Sequence, residues 1–196
     1  MSHRPSGVSF RRAAPADAEA YSHFSRRIAI ETFAADNNPD DFRLYLDQTF
    51  SPERQDLEMQ DPGTTVLLGE HEGRVAAYAY LRLHPAPEVV PGAKPMEVAR
   101  FYVDTPWHGR GVAWELMGEV VRKAEEVGAD TLWLGVWERN DRAQAFYHRC
   151  GFEDKGSHVF MVGRDAQTDR LFAAPVGLVA SRLAKAAEGG GSRAGG

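Results

Sequence analysis

The strongest pattern of apolar positions lies between Val98 and Trp137. Val98, Ala99, Phe101, Tyr102 and Val103 form a nearly continuous run, interrupted only by Arg100, as a buried central strand requires. Asp104-Thr105-Pro106 ends it. From Val112 the apolar residues fall at Leu116, Val120, Ala124 and Val127, with Ala113, Met117 and Val121 beside them, which is the spacing of one helix face. Gly128 is the expected helix stop. Thr131-Leu132-Trp133-Leu134-Gly135-Val136-Trp137 then reads as a second strand, so a right-handed parallel crossover is expected. A glycine in the middle of that strand points to close approach of another group.

The same reading extends along the chain. Val8 to Arg12 alternates as a strand, and Pro15 with Asp17 opens a helix to about Ala34. Asn38-Pro39-Asp40-Asp41 and Ser51-Pro52-Glu53 are compact helix starts, and Asp61-Pro62-Gly63 is a break. Thr65–Glu70 and Arg74–Leu83 are antiparallel strands joined through His71-Glu72-Gly73. Prolines at 85, 87, 91 and 95 make an irregular loop that leads into the central strand. Asn140 caps a helix containing Ala143, Phe146 and Tyr147, closed by Gly151. A last hairpin is expected within 152–163 around Lys155-Gly156-Ser157, followed by a helix within 165–188. The expected fold is mixed α/β, with a central, mostly antiparallel sheet and one parallel crossover, in the order βαα-ββ-βαβα-ββ. Residues 1–171 are expected to form a single domain and 172–196 a C-terminal extension, Gly-rich and flexible at 189–196.

Composition narrows the chemistry. With 196 residues, 43% of them hydrophobic, one domain with a substantial core is expected. Cys150 is the single cysteine, so no internal disulfide forms, and no leader-like segment or long apolar run is seen; a cytoplasmic setting is expected. The seven histidines never fall at metal-ligand spacing, so no metal is expected. A net charge of −5 without a basic stripe argues against nucleic acid. The acidity is concentrated. Glu31 to Asp61 holds nine carboxylates against Arg43 and Arg54, a local charge of −7, leaving +2 elsewhere.

Gly109 and Gly111 stand at the start of the long helix. Backbone N–H groups and the positive dipole end gather an anion there, and missing Cβ atoms let it approach. Diphosphate is the obvious guest. No Gly-x-x-x-x-Gly-Lys-Ser/Thr is present, and no third glycine with an acidic residue about 20 positions on, which argues against a nucleotide triphosphatase or a dehydrogenase.

His108-Gly109-Arg110-Gly111-Val112-Ala113 resembles the Gln/Arg-x-x-Gly-x-Gly/Ala signature of the GNAT superfamily of acetyl-CoA-dependent N-acetyltransferases. His108 stands where that superfamily usually has Gln or Arg, and Arg110 is the expected source of charge instead. A second segment, Asn140-x-x-Ala143-x-x-Phe146-Tyr147-x-x-x-Gly151-Phe152, is similar to the superfamily's other cofactor segment. Short strings such as Thr32-Phe33, Tyr45-Leu46, Trp133 to Glu138 and Gly156 to Phe160, with Gly163 and Asp169, resemble the PaiA-type polyamine acetyltransferases over residues 8 to about 171.

The resemblance implies a GNAT-like fold and acetyl-CoA as cosubstrate. It implies that the backbone of Phe101, Tyr102 and Val103 holds the pantetheine arm and that His108, Gly109, Arg110, Gly111, Val112, Ala113 and Trp114 surround the diphosphate. Asn140 is either a simple helix cap or a cofactor contact. Tyr147 is either a core aromatic or the acid that protonates the departing thiolate. An alkylamine with a pKa of about 10.4 is mostly protonated at neutral pH, so a base is wanted. Glu97, at the start of the central strand, is the first candidate; Glu31 and His158 stand behind it and are also candidates for binding the acceptor. Cys150 lacks the surroundings of a reactive thiolate, so direct transfer in a ternary complex is preferred to an acyl-cysteine. The acceptor is expected to be a primary amine, with a polyamine such as spermidine or spermine favoured by the acidic segment, where Asp36, Asp47, Asp56 and Glu58 have no obvious capping role. A protein amine, a xenobiotic amine and a non-catalytic acetyl-CoA-sensing module are the alternatives. The assembly state is left open, a homodimer included.

Overall fold

In the computed structural model, which describes residues 6–162 and 165–189, the apolar run around Val98 becomes β4 (Pro95–Val103) and Thr131–Trp137 becomes β5. β1 (Ser9–Arg12), β2 (Thr64–His71), β3 (Arg74–Arg82), β6 (Glu153–Val162) and β7 (Asp165–Pro175) complete one sheet in the order β1-β2-β3-β4-β5-β7-β6. Every pairing is antiparallel except β4 with β5.

Helices cover both faces. α4 (Val112–Glu126) connects β4 to β5 and buries Val112, Leu116, Met117 and Val120 completely. Each such side chain contributes roughly 1.5–3 kcal/mol. α5 (Asp141–Cys150) and α6 (Val176–Gly189) join it on that face through Tyr147, Cys150, Val176 and Val179. Against the other face, α1 (Ala18–Phe33) and α3 (Pro52–Gln60) set Tyr21, Phe24, Ile28 and Met59 on Val66, Leu68, Tyr78 and Tyr80. α2 (Pro39–Thr49) packs Phe42 and Leu46 with Ala29, Phe50 and Val162. The capping residues act as their sequence suggests: the Asn38 side chain accepts from the N–H groups of Asp40 and Asp41 at 3.0 and 3.2 Å, and Ser51 from Arg54 at 3.2 Å. Each cap contributes about 1 kcal/mol.

Two features position the site. β4 and β5 pair only over Pro95–Glu97 and Thr131–Trp133, then diverge, leaving the edge of Val98–Val103 that faces β5 without a partner strand. Arg100, the polar break in the apolar run, is the second. Its guanidinium makes two 2.8 Å bonds to the buried carboxylate of Glu58 and a 3.2 Å bond to the Tyr21 hydroxyl, over the rings of Tyr80 and Phe50. A charge can be buried there because its donors are met.

The structure corrects three expectations. Lys155-Gly156-Ser157 is not a turn: β6 runs through it with a bulge at Gly156, and the β6–β7 connection falls at 163–164, outside the described residues. Residues 165–175 are strand rather than helix, because Leu171 to Ala174 is buried on both faces of the sheet, where the alternation that marks a half-buried strand disappears. The helix started by Ser51 forms as α3, and the helix read within 165–188 is confined to α6 after β7, so both are added to the order βαα-ββ-βαβα-ββ. The boundary expected at 171/172 consequently falls inside β7, and Val176 and Val179 of the expected extension are core residues. The Gly-rich stretch from 190 onward lies outside the described residues. Among the described residues no helix is long and apolar enough to cross a membrane, and no three His, Cys, Asp or Glu side chains gather as metal ligands.

Candidate active site

Where β4 leaves β5, a cavity of about 750 Å³ opens between Phe101, Tyr102 and Val103 on one side and α5 on the other. Phe101 stacks on Phe146 at 5.6 Å and meets Tyr147 edge-on at 6.2 Å, so aromatic rings of α5 support the unpaired strand edge. The loop before α4 closes one end and Glu31, Thr32 and Phe33 of α1, with Trp137 of β5, the other.

The loop is shaped by its own residues. The Asp104 carboxylate accepts from Thr105 N–H at 2.9 Å and receives Arg27 of α1 at 2.8 and 3.1 Å. Pro106 and Trp107 complete a tight turn, and the chain then passes through left-handed backbone at Gly109 (φ 73°) and Gly111 (φ 87°). A side chain at either position would cost about 1–2 kcal/mol of strain. Gly111 is the N-cap of α4, and among the described residues nothing accepts from the N–H groups of Gly109, Gly111, Val112 and Ala113. Unmet donors at a helix N-terminus are an anion seat.

His108 ties this seat to α5. Its Nε2 lies 2.8 Å from the carbonyl oxygen of Val103, so it must donate, and its Nδ1 then accepts from the Arg142 guanidinium at 3.0 Å. Arg142 is thereby fixed beside the unmet N–H groups, while Arg110 turns away, its guanidinium 5.5 Å from the centre of the Trp107 ring and outside the cavity lining. Arg142, rather than Arg110, is the arginine that lines the cavity beside His108. Arg139 and Arg149 line the same cavity.

On α5, Asn140 is a true cap, accepting from Ala143 N–H at 3.2 Å, and also lines the cavity. Tyr147 is 7% exposed, its ring held by Phe101, Phe146 and Phe152, and among the described residues its hydroxyl has no hydrogen-bond partner. Burial pushes the phenol well above its ordinary pKa, so it stays protonated at neutral pH. Burial likewise pushes the Cys150 thiol up to about 12, which removes it as a nucleophile.

Of the residues singled out in the sequence, Phe101, Tyr102, Val103, His108, Gly109, Gly111, Ala113, Trp114, Asn140, Tyr147 and Glu31 meet at this cavity. The Val112 side chain is core, leaving its N–H alone toward the seat. Glu97 lies outside the lining; its carboxylate is 2.6 Å from Arg82 Nε and 2.7 Å from His84 Nε2, at the vertex where β4 and β5 still pair. His158 also lies outside it, on β6. The acidic segment is no free patch: Glu31 pairs with Arg27, Asp40 with Arg43, Asp47 with Arg26, and Glu58 is buried under Arg100. Asp56 accepts from Gln60 at 2.6 Å.

Phe33, Trp137, Arg139, Arg142 and Arg149 were not singled out as site residues, although they line the cavity. Two of the arginines carried a signal, since positions 142 and 149 are seven apart and share one face of α5, while Arg139 lies in the turn before Asn140. Phe33 and Trp137 had entered only within the short strings that resemble the PaiA-type enzymes.

Comparisons with known proteins agree with this geometry. The sequence profile of the acetyltransferase (GNAT) family matches residues 27–152. An uncharacterised N-acetyltransferase from the pepI 3′ region of Lactobacillus delbrueckii subsp. lactis is 31% identical over 165 residues, 84% of this chain and 95% of that protein. The PaiA N-acetyltransferase of Thermoplasma acidophilum, solved in complex with coenzyme A, superposes with a TM-score of 0.69 at 14% identity, covering 86% of this chain and 98% of its own. The yncA protein of Salmonella typhimurium, solved with its cofactor acetyl-CoA, gives a TM-score of 0.57 at 18% identity, covering 86% and 94%.

Proposed function

The chain belongs to the acetyltransferase (GNAT) family, and from that membership we propose that it transfers the acetyl group of acetyl-CoA to a primary amine, of which a polyamine such as spermidine or spermine is the preferred acceptor. The observation that carries the reading is the unpaired edge of β4 running into unmet N–H groups at the start of α4, both on one cavity. A pantetheine arm is an extended chain of amides that fits a strand edge, and a diphosphate fits the helix start.

Bound acetyl-CoA would supply an activated thioester. The backbone of Phe101, Tyr102 and Val103 holds the arm, and the N–H groups of Gly109 to Ala113 with Arg142 hold the diphosphate. The Tyr147 hydroxyl gives its proton to the departing sulfur. A thiol's ordinary pKa of about 8.5 makes coenzyme A a fair leaving group already, so this step needs only part of the usual 10²–10⁴-fold acid–base effect. Glu31 is the carboxylate on the cavity wall, and it takes the amine proton, through water, in place of Glu97.

Thiol release from acetyl-CoA over a panel of polyamines, monoamines, lysine peptides and aminoglycosides tests the proposal. Spermidine is expected to give the highest kcat/KM. Release with peptides alone would assign a protein amine instead. Tight coenzyme A binding with no release from any amine would make the chain an acetyl-CoA-sensing module.

A further inference from the structure

We propose that Asp169, His158 and Gly135 form the seat of an ammonium group of the acceptor, a reading that rests on the amine acetyltransfer proposed above and names where the acceptor's charge is held. These three residues come from β7, β6 and β5, far apart in the chain, and each falls in or beside one of the short strings that resemble the PaiA-type enzymes.

Register puts them on one face of the sheet. Asp169 stands opposite Trp137 on β5 and opposite His158 on β6, while Gly135 is two residues before Trp137. The glycine is exposed although its strand neighbours are buried. A Cβ at Gly135 would lie 3.1 Å from Asp169 Oδ2 and 3.1 Å from His158 Nε2, closer than ordinary contact, so both polar groups lean over a floor that only glycine leaves clear.

The Asp169 carboxylate is only 15% exposed, yet among the described residues no donor lies within hydrogen-bond distance; His158 Nε2 is 3.9 Å away. Other carboxylates of this region are matched: Glu31 by Arg27, Asp47 by Arg26, Glu58 by Arg100, Glu97 by Arg82, Asp154 by Arg170. A half-buried carboxylate without a donor is costly, and a bound cation would relieve it. Burial raises its pKa, as expected for such a group.

The neighbouring surface suits an ammonium. Trp137 meets Phe33 edge-on at 6.2 Å, and Phe33 meets Tyr102 at 6.4 Å, and all three line the cavity that holds Tyr147. An ammonium beside aromatic faces and one carboxylate gains both cation–π and charge-assisted hydrogen bonding. In the acidic segment 31–61, by contrast, Glu31, Asp40, Asp47 and Glu58 are each paired with an arginine.

The test is calorimetric titration of putrescine into coenzyme A-loaded wild type, Asp169→Asn and Gly135→Ala. Wild type is expected to bind, and Asp169→Asn to bind at least about 10-fold more weakly, since a hydrogen bond to a charged group is worth roughly 1.5–3 kcal/mol. Gly135→Ala should also weaken putrescine, its methyl group crowding both polar side chains, and coenzyme A affinity should match wild type in both variants, which reports an intact fold. If Asp169→Asn fails that fold check, Gly135→Ala carries the test. Putrescine affinity equal to wild type in the variants, with coenzyme A binding intact, overturns the seat, as does absence of putrescine binding by wild type. Binding is read without turnover, so a seat sensitive to Asp169 in a chain that releases no thiol would sink the transfer reaction and keep the seat.

Discussion

The two ends of the cavity are built by different means. At the end proposed for coenzyme A, a strand edge, a turn and a helix start follow one another between Phe101 and Trp114, and the groups proposed to bind are mostly backbone N–H. At the end proposed for the acceptor, Phe33 of α1 and Trp137 of β5 line the cavity, while His158 of β6 and Asp169 of β7 stand beside Trp137 outside its lining, and the groups proposed to bind are side chains. A contiguous backbone device is visible in a string of residues, because glycine, proline and periodicity mark it locally. A site assembled across four elements has no such mark.

The largest effect that would break this contrast is expected at Gly111. Gly111→Glu forces a side chain into left-handed backbone and sets a carboxylate where phosphate is proposed to sit. Coenzyme A affinity by calorimetry should fall roughly 100-fold, about 2.7 kcal/mol. Unchanged affinity would move the cofactor away from the α4 start.

Tyr147→Phe should lower kcat about 10–100-fold while leaving coenzyme A affinity near wild type, because the ring packs and only the hydroxyl acts on the sulfur. Equal turnover would leave Tyr147 as a core aromatic.

Arg142→Ala should weaken coenzyme A about 10-fold and flatten the salt dependence of binding. His108→Ala should give a similar loss, and the double variant little more than either alone, since His108 acts by holding Arg142. Additive losses would mean that the two residues work separately.

The division between the two ends also explains what could be read from the sequence. The parallel crossover, the helix caps at Asn38 and Ser51 and the glycine turn before α4 follow from local rules, whereas the role proposed for Tyr147 came from the family resemblance. Glu97 looked like a base because it begins the central strand, but Arg82 and His84, which hold it, reach it only through β3 and the following loop. Glu58 looked like part of an acidic patch, whereas its partner Arg100 lies 42 positions away. β7 was read as helix because a strand buried on both faces carries no alternation. Gly135 signalled a close approach, but the approaching groups, Asp169 and His158, appear only once β6 and β7 are paired.

The smallest effect concerns stability and bears on the acceptor end alone. Burial raises the Asp169 carboxyl above its ordinary 3.8, so the folded chain holds that proton to higher pH than the unfolded chain. Its contribution to stability therefore falls as pH climbs from 3.8 through the raised value. Asp169→Asn removes that penalty. At neutral pH the variant should melt roughly 2–4 °C above wild type, and below the ordinary aspartate value the two should coincide. A variant that melts lower at neutral pH would mean that the carboxylate has a stabilising partner.

The most direct test of the account is the product balance of a single reaction. Wild type is incubated with acetyl-CoA and spermidine, free thiol is measured, and the amine is weighed by mass spectrometry. The expected result is one acetyl group on spermidine for every coenzyme A released. Thiol without acetylated amine, or no thiol at all, would contradict it.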